Sequence, residues 1–422
     1  MHSWMTDLFF LNRSLSGNGN RETLLYFKKI VPELRLGEIP SGEKVFDWIV
    51  PDEWNVENAF IENMQGQRFA EFRKNNLHLV GYSEAVNKIV TKSELLHHLY
   101  FLPESPEAIP YITSYYNRTW GFCISKKQFD LLGEGPFKVV IDSSFKSKTE
   151  GGSLSYGEIF LPGKSSQEVL FSTYICHPSM ANNELSGPVT AIALANHIKN
   201  FDHHYSYRIL FLPETIGAIY FLSNNFDHIK RNCIAGWVLT CIGDAGAFSY
   251  IPSRHANNYA DRITKKVLRK YHPDYISYSW LDRGSDERQW CSPGVDLPIC
   301  SITRSKYGTF PQYHTSLDDL NFVTAHELDK SFELICKIVE EVEGNRVPLA
   351  TTFCEPQLGR RGLYPNLSTL NSYSINVRQV ADVLSFSDGT MTIDEIAKAC
   401  KITRGEADII FKTLRNKGLV EI

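Results

Sequence analysis

The sequence predicts a doubly wound, mostly parallel α/β sheet that carries a β-rich insertion and ends in a winged helix. Three observations predict this. Between residues 137 and 342, short apolar runs alternate with runs of helical period, the rhythm of a parallel sheet covered on both faces. Between 55 and 135 the rhythm stops, and strand-like runs (LHLVGYS, YYNRTWGFCIS) succeed one another across Pro and Lys/Asn-rich joints. Within 371–422, two helix starts carry paired capping signals, Thr392 with Glu395 and Thr403 with Glu406.

Length and composition frame these units. At roughly 150 residues per domain, 422 residues hold two or three. The boundaries fall at 1–54 with 136–349 for the sheet core, 55–135 for the insertion and 371–422 for the winged helix. Hydrophobic residues at 43% and charged residues at 22% describe a chain that folds throughout. A net charge of -4, from 44 Lys plus Arg against 48 Asp plus Glu, excludes global attraction to nucleic acid or anionic lipid. Nine cysteines, an odd number without Cys-x-x-Cys, argue against a disulfide framework or a thiolate zinc site. The N-terminal residues lack a secretory pattern, and no run reaches about 18 apolar residues. A cytoplasmic protein with no membrane partner is expected.

In chain order, residues 21–31 (RETLLYFKKIV) place apolar side chains three and four apart and predict a helix. Residues 39–54, punctuated by Pro40, Gly42 and Pro51, read as a strand opening the core. After the insertion, 137–142 (FKVVID) and 157–161 (GEIFL) are strands, and 168–176 (EVLFSTYIC) is a continuous apolar strand. A helix at 187–199, a strand at 207–212, a helix around 218–224 and a strand at 236–242 follow. A helix near 260–271, a strand at 297–302 and a helix over 324–342 complete the core. The Gly/Pro-bearing stretch 350–371 reads as a linker. Helix 377–385 and the two capped helices, closed by Gly418, then resemble a winged helix-turn-helix.

Ligands of such a sheet bind beyond the C-terminal ends of its strands, and chemistry-bearing residues gather there. His177 follows the strand 168–176, in CHPSMANNELSGP, with Glu184 seven residues on. Imidazole and carboxylate suit a zinc-like cation, with three protein ligands and one open position in a catalytic site. As alternatives, the histidine packs structurally and Asn182, Asn183 and Glu184 simply cap the next helix. Glu214 follows the strand 207–212 in PETIG, where a carboxylate either acts as a general base beside a Lewis acid or complements a helix dipole. Asp244 follows 236–242, Asp286 and Glu287 lie in SDERQW, and Tyr313 and His314 lie in YHTSLDD. Arg118, among aromatics in the insertion, either clamps a substrate carboxylate or stacks. His97 with His98, His203 with His204, and the isolated His326-Glu327 lack ligand spacing.

The order of NNELSG after His177, PETIG, GSDERQW and YHTSLDDL resembles the zinc aminopeptidases and glutaminyl cyclases across 137–342. With the insertion and the winged helix, the whole chain resembles the aminopeptidase-like proteins associated with bacterial surface-polysaccharide genes. The resemblance implies metal-binding roles for His177 and His314 and a water-activating role for Glu214. It places Asn183, Thr215 and Thr240 where a two-zinc site has carboxylates, and neutral side chains serve a dication poorly. One zinc, held by His177, Glu184 and His314, is therefore expected. Glu214 and Asp286 are the catalytic residues, and Asn183, Asp244, Glu287, Tyr313 and Arg118 the substrate-binding set. The resulting expectation is a zinc-dependent, aminopeptidase-like hydrolase that cleaves an amide of a peptide or small molecule with metal-activated water. Two alternatives stay open: an inactive metal- or ligand-binding protein of the same fold, and a transcription regulator using the winged helix. Seven basic and seven acidic residues in 371–422 give that unit no net charge, which disfavours nucleic acid and leaves protein contact or homo-oligomer formation as its expected role.

Overall fold

A computed structural model of the chain describes residues 1–363 and 377–422. Its centre is an eight-stranded mixed sheet. Ser206–Leu212, Glu168–Tyr174, Cys233–Leu239 and Ile299–Thr303 lie side by side and parallel in that order. Ser153–Leu161 and then Arg35–Pro40 extend one edge antiparallel. Ser249–Ile251 joins the other edge antiparallel, with Ile276–Ser277 beyond it. Side chains alternate across this sheet, as strand geometry requires. Val169 and Phe171 face one apolar layer, shared with the helices Asn18–Ile30, Ser186–Ile198, Tyr259–Tyr271 and Ala325–Gly344. Leu170 faces the opposite layer, under Ile216–Asn232. Every residue of Glu168–Tyr174 is buried, which is why that strand reads as a mainly apolar run without a wet-face alternation.

Phe137–Lys146 departs from the expected core strand. It pairs antiparallel with Glu53–Asn63 and with Val86–Val90 in a separate four-stranded sheet. The reason is visible in its letters: Phe137, Val139 and Ile141 are buried while Lys138 and Asp142 are exposed, the two-residue period of a sheet with one wet face. Residues 39–54 also differ, since the sheet strand is Arg35–Pro40 and Lys44–Val45 pairs with Trp48–Ile49 as a hairpin. The two sheets are tied by a buried carboxylate. Glu53 receives both Arg21 nitrogens at 2.8 and 2.6 Å, the Asn55 amide at 2.9 Å and the Ser153 N–H at 3.0 Å.

At the C-terminus, the helices Val377–Ser385, Ile393–Ala399 and Arg404–Asn416 enclose their own apolar core, and both capping boxes form. The wing is made from two distant segments, because Val420–Glu421 pairs with Leu349–Ala350. The expected linker 350–371 thus begins inside the unit, and its part from 364 on lies outside the described residues. Arg262 of the sheet core forks onto Glu395 at 2.6 and 3.1 Å and donates to Thr390 O at 2.5 Å. Ile410, Phe411 and Leu414 are spent inside the unit, leaving Ile409 exposed. Arg404 is paired with Asp394 and Asp408. All nine cysteines are free, and among the described residues no helix is long and apolar enough to cross a membrane.

Candidate functional site

The strand ends do converge. A cavity of about 440 Å³ opens at the C-terminal edge of the parallel strands, with His177, Glu214 and His314 in its wall. Leu15, Thr215, Arg288 and Gln289 join them from the sheet side. Tyr111, Tyr115 and Tyr116 face them from the inserted segment and Trp48 from the hairpin before it, an aromatic wall the sequence reading missed because it is assembled from distant turns. Four non-glycine residues at this edge take positive φ: Ser179 (45°), Thr215 (66°), Cys241 (48°) and His314 (54°). Such conformations cost about 1–3 kcal/mol each and persist only where surroundings enforce them. At Thr215 the enforcement is explicit, since its N–H donates to Asp286 Oδ1 at 2.7 Å and its Oγ1 accepts from Arg288 at 2.7 Å.

His177 is 3% exposed and held from both sides. Its Nδ1 lies 2.9 Å from Glu184 Oε2, and its Nε2 lies 3.9 Å from Glu214 Oε2. Its ring centre is 5.3 Å from that of His314, whose own ring stacks on Tyr313 at 3.9 Å. Glu184 sits in a five-residue π-helical turn, Ala181–Leu185, leading into Ser186–Ile198. Asp318 anchors that turn, accepting the Asn182 and Asn183 N–H groups at 2.6 and 2.8 Å. Behind Glu184 lies Arg13, which is fully buried. Arg13 Nε is 3.5 Å from Glu184 Oε1 and donates to His177 O at 3.1 Å, and Nη1 donates to Leu8 O at 2.6 Å. Neither Arg13 nor Asp318 was in the expected site set. An arginine after the apolar run LFFL is only a faint sign of burial, and Asp318 is visible only as part of YHTSLDD.

Burial dominates the electrostatics. It pushes the Glu184 carboxyl up to about 8 against the pull of Arg13, and lowers Arg13 itself to about 10. Each charge therefore loses more hydration than the pair returns. Burial, then Arg13, lowers His177 to about 3, and burial, then His177, lowers His314 to about 3, so both imidazoles are neutral with a free lone pair. Glu214 is raised by burial and then by Asp286, and Asp286 is raised by burial. Asp286 Oδ2 is buried with no hydrogen-bond partner among the described residues.

The expected ligand trio is divided by this geometry. Glu184 occupies the Nδ1 side of His177 and His314 lies in the pocket wall, whereas the two nitrogens of one ring point apart and cannot share an ion. Among the described residues, the group whose donor atoms all lie within 4.8 Å of one another is Cys176, His177 and Glu184. That group already has the Arg13 cation beside it and a Cys176 thiol that burial holds well above its ordinary range, which weakens its fit to a further cation. The pocket side, with two neutral imidazoles, has nitrogen donors that fit one zinc ion, and the Glu214 carboxyl stands beside them. Glu184 then has the geometry of the carboxylate that fixes the tautomer and orientation of a ligand histidine.

The remaining expected residues are placed as follows. Asn183 Oδ1 accepts from Tyr174 at 3.1 Å, Tyr174 and Thr240 hydroxyls are 2.5 Å apart, and Thr240 Oγ1 donates to Asn183 O at 3.1 Å. Where the resemblance puts two metal carboxylates there is thus a closed, neutral hydrogen-bonded cluster. Asp244 is spent on Asn182, Gly246 and Ser305, at 2.7, 2.6 and 2.8 Å. Glu287 is spent on Gly284, Ser301 and Tyr307, at 2.8, 2.9 and 2.7 Å. Both are loop anchors rather than pocket-lining groups. Arg118 pairs with Asp52 at 2.7 Å and lies over the Phe145 ring at 3.7 Å, the stacking alternative.

Comparison with known proteins places this arrangement. The profile of DUF4910, a domain of unknown function, matches residues 2–345, and a winged helix-turn-helix profile matches 346–422. A Clostridium acetobutylicum protein whose name carries "polysaccharide biosynthesis protein with aminopeptidase-like domain" is 41% identical over 398 residues, 94% of this chain and 90% of its own. The crystal structure of a candidate peptidase from the same organism matches with a TM-score of 0.80 and 38% identity, over 100% of this chain and 95% of that one. A zinc aminopeptidase from Bacillus subtilis shares the fold, with a TM-score of 0.58 at 11% identity over 81% of this chain and 93% of that one.

Proposed function

This chain belongs to the DUF4910 family and has an aminopeptidase-like fold, and from that premise we propose that it is a single-zinc amide hydrolase working in the aromatic-walled pocket. The observation that carries the reading is the meeting of His177 Nε2, Glu214 and His314 in one cavity wall, with Asp286 behind Glu214. His177 and His314 would hold the ion, with Glu184 and Arg13 fixing the His177 ring from behind. A zinc ion bound there would supply Lewis acidity toward an amide carbonyl and would lower the pKa of water. Glu214, raised by burial and by Asp286, is suited to take a proton from water and hand it to the departing amine. Asp286 holds the strained Thr215 backbone, which fixes where the Glu214 carboxyl stands. Tyr111 and Tyr115, raised by burial, stay protonated and can donate hydrogen bonds to substrate oxygens. The substrate is a peptide or other small amide.

Elemental analysis with turnover assays tests this. About one zinc per chain is expected, lost in His177→Ala and in His314→Ala and retained in Glu214→Gln. Screened against aminoacyl, peptidyl and N-acyl-sugar amides, Glu214→Gln should lower turnover by about two to four orders of magnitude. Two zinc ions per chain, or zinc retained in both histidine variants, would overturn the assignment. The neutral Asn183, Tyr174 and Thr240 cluster favours a second reading, ligand binding without turnover. Tight ligand binding with no cleavage of any amide in the screen would select it.

A further inference from the structure

The seam between the sheet core and the C-terminal unit holds a second cavity of about 560 Å³, remote from the residues of the proposed hydrolase centre. Lys230, Arg231, His255 and Arg262 line it from the core, and Asp388 and Thr390 from the C-terminal unit. Through Asn257 and Arg262 it continues into a concavity of about 630 Å³ along the helix Tyr259–Tyr271. That concavity is walled by Lys265, Lys266, Arg269 and Lys270. Arg262, Lys265, Lys266 and Arg269 stand at helical spacings of three and four, so they form one stripe, while Ile263, Val267 and Leu268 bury the opposite face.

Part of this charge is neutralised. Arg262 pairs with Glu395 and Lys266 with Glu341. Lys265 and Lys230 spend their ammonium groups on carbonyls, Ala256 O at 2.7 Å and Val295 O at 2.6 Å. The carboxylate lining the groove, Asp388, is occupied by Thr390, at 2.9 Å from its N–H and 2.6 Å from its hydroxyl. A second observation points to a ligand. Gln167 lines the seam, is 5% exposed, and its Oε1 has no hydrogen-bond partner among the described residues. A buried unpaired amide costs about 1–3 kcal/mol, which a ligand donor would recover.

We propose that this seam binds a small diphosphate ester of the nucleoside diphosphate kind. Its phosphates lie along the cationic stripe, where ammonium and guanidinium groups make charge-assisted hydrogen bonds to phosphate oxygens. Its neutral hydroxyl- or amide-bearing end reaches Gln167 in the seam. Because the wall comes from both units, occupancy fastens the C-terminal unit to the sheet core. The cavity dimensions suit a small molecule, and residues 371–422 carry no net basic surplus to draw a phosphate backbone to the adjoining unit.

Titration calorimetry on the full chain tests it, with inorganic pyrophosphate, UDP and a short DNA duplex as probes. Pyrophosphate should bind, and UDP at least about fivefold more tightly through its neutral end. The exposed double substitution Arg231→Glu with Arg269→Glu should weaken both by about tenfold or more, with an unchanged melting temperature. Gln167→Leu, or Asn257→Ala if the former does not fold, should bring UDP to the affinity of pyrophosphate and leave pyrophosphate unaffected. The proposal is overturned if neither small probe binds, if the charge reversal leaves their affinity unchanged, or if UDP binds no more tightly than pyrophosphate. Duplex binding tighter than UDP that disappears in the same charge-reversed protein would overturn it in favour of a nucleic-acid face.

Discussion

Replacing Arg13 by Met keeps an unbranched side chain of similar length in a fully buried position and removes only its charge and donors. The structure fixes what is lost: the cation 3.5 Å from Glu184 Oε1 and the hydrogen bonds to Leu8 O and His177 O. Removing one member of a buried ion pair typically costs about 3–5 kcal/mol. Uptake of a proton by Glu184, already pushed up to about 8, limits the penalty at neutral pH. A net loss of about 3 kcal/mol, the low end of that range, is therefore expected. The assay is a double-mutant cycle in urea, with Arg13→Met, Glu184→Gln and the pair, all stripped of metal by chelator. Once Arg13 is gone, Glu184→Gln should be neutral or stabilising, because it removes a buried carboxyl that has lost its cationic partner. A coupling energy of about 2 kcal/mol or more is expected, within the range seen for residues in direct contact. Additivity within about 0.5 kcal/mol would refute the view that Glu184 answers Arg13 and orients His177.

Three further outcomes are expected. Burial works to raise the Glu53 carboxyl, but Arg21, Asn55 and the Ser153 N–H more than offset it and hold it at about 2 against an ordinary 4.5. A depressed carboxylate stabilises the fold above pH 4.5 and loses that contribution as pH falls toward 2, so Glu53→Gln should cost about 2–3 kcal/mol at pH 7 and much less at pH 3, read as unfolding midpoints at both. An equal cost at both values would contradict it. At Gly187, a Cβ would lie 2.3 Å from Leu239 O and 2.4 Å from Thr173 Oγ1, so Gly187→Ala must push Ser186–Ile198 off the sheet, costing about 3 kcal/mol and lowering zinc retention; a melting curve like that of the unsubstituted chain would refute it. Arg262→Ala, which breaks the fork onto Glu395, should make the C-terminal unit more susceptible to limited proteolysis, while the sheet core melts as before.

The order of strands and helices was legible in the sequence because each element carries its own local signature. Glu168–Tyr174 is mainly apolar and buried throughout because both its faces are covered, and the helices at Thr392 and Thr403 announce themselves through capping partners three residues away. His177, Glu214 and His314 were legible as a set because parallel strands deliver their C-terminal ends to one edge, whatever the detailed packing. Tertiary structure alone decided what each polar residue does there. Asp244 has the same strand-end position as Glu214, and Glu287 opens the short helix Glu287–Trp290, yet their oxygens are consumed by loop N–H and hydroxyl groups. Glu184 was expected beside His314 but stands at the far nitrogen of His177, because Asp318 and Arg13, 134 residues later and 171 residues earlier in the chain, set the turn that carries it. The aromatic wall and the cationic seam are likewise built from segments far apart in the chain. A residue's type and local spacing fix the backbone it prefers, whereas its protonation, partners and exposure to ligand depend on neighbours that only the folded chain brings within a few ångströms.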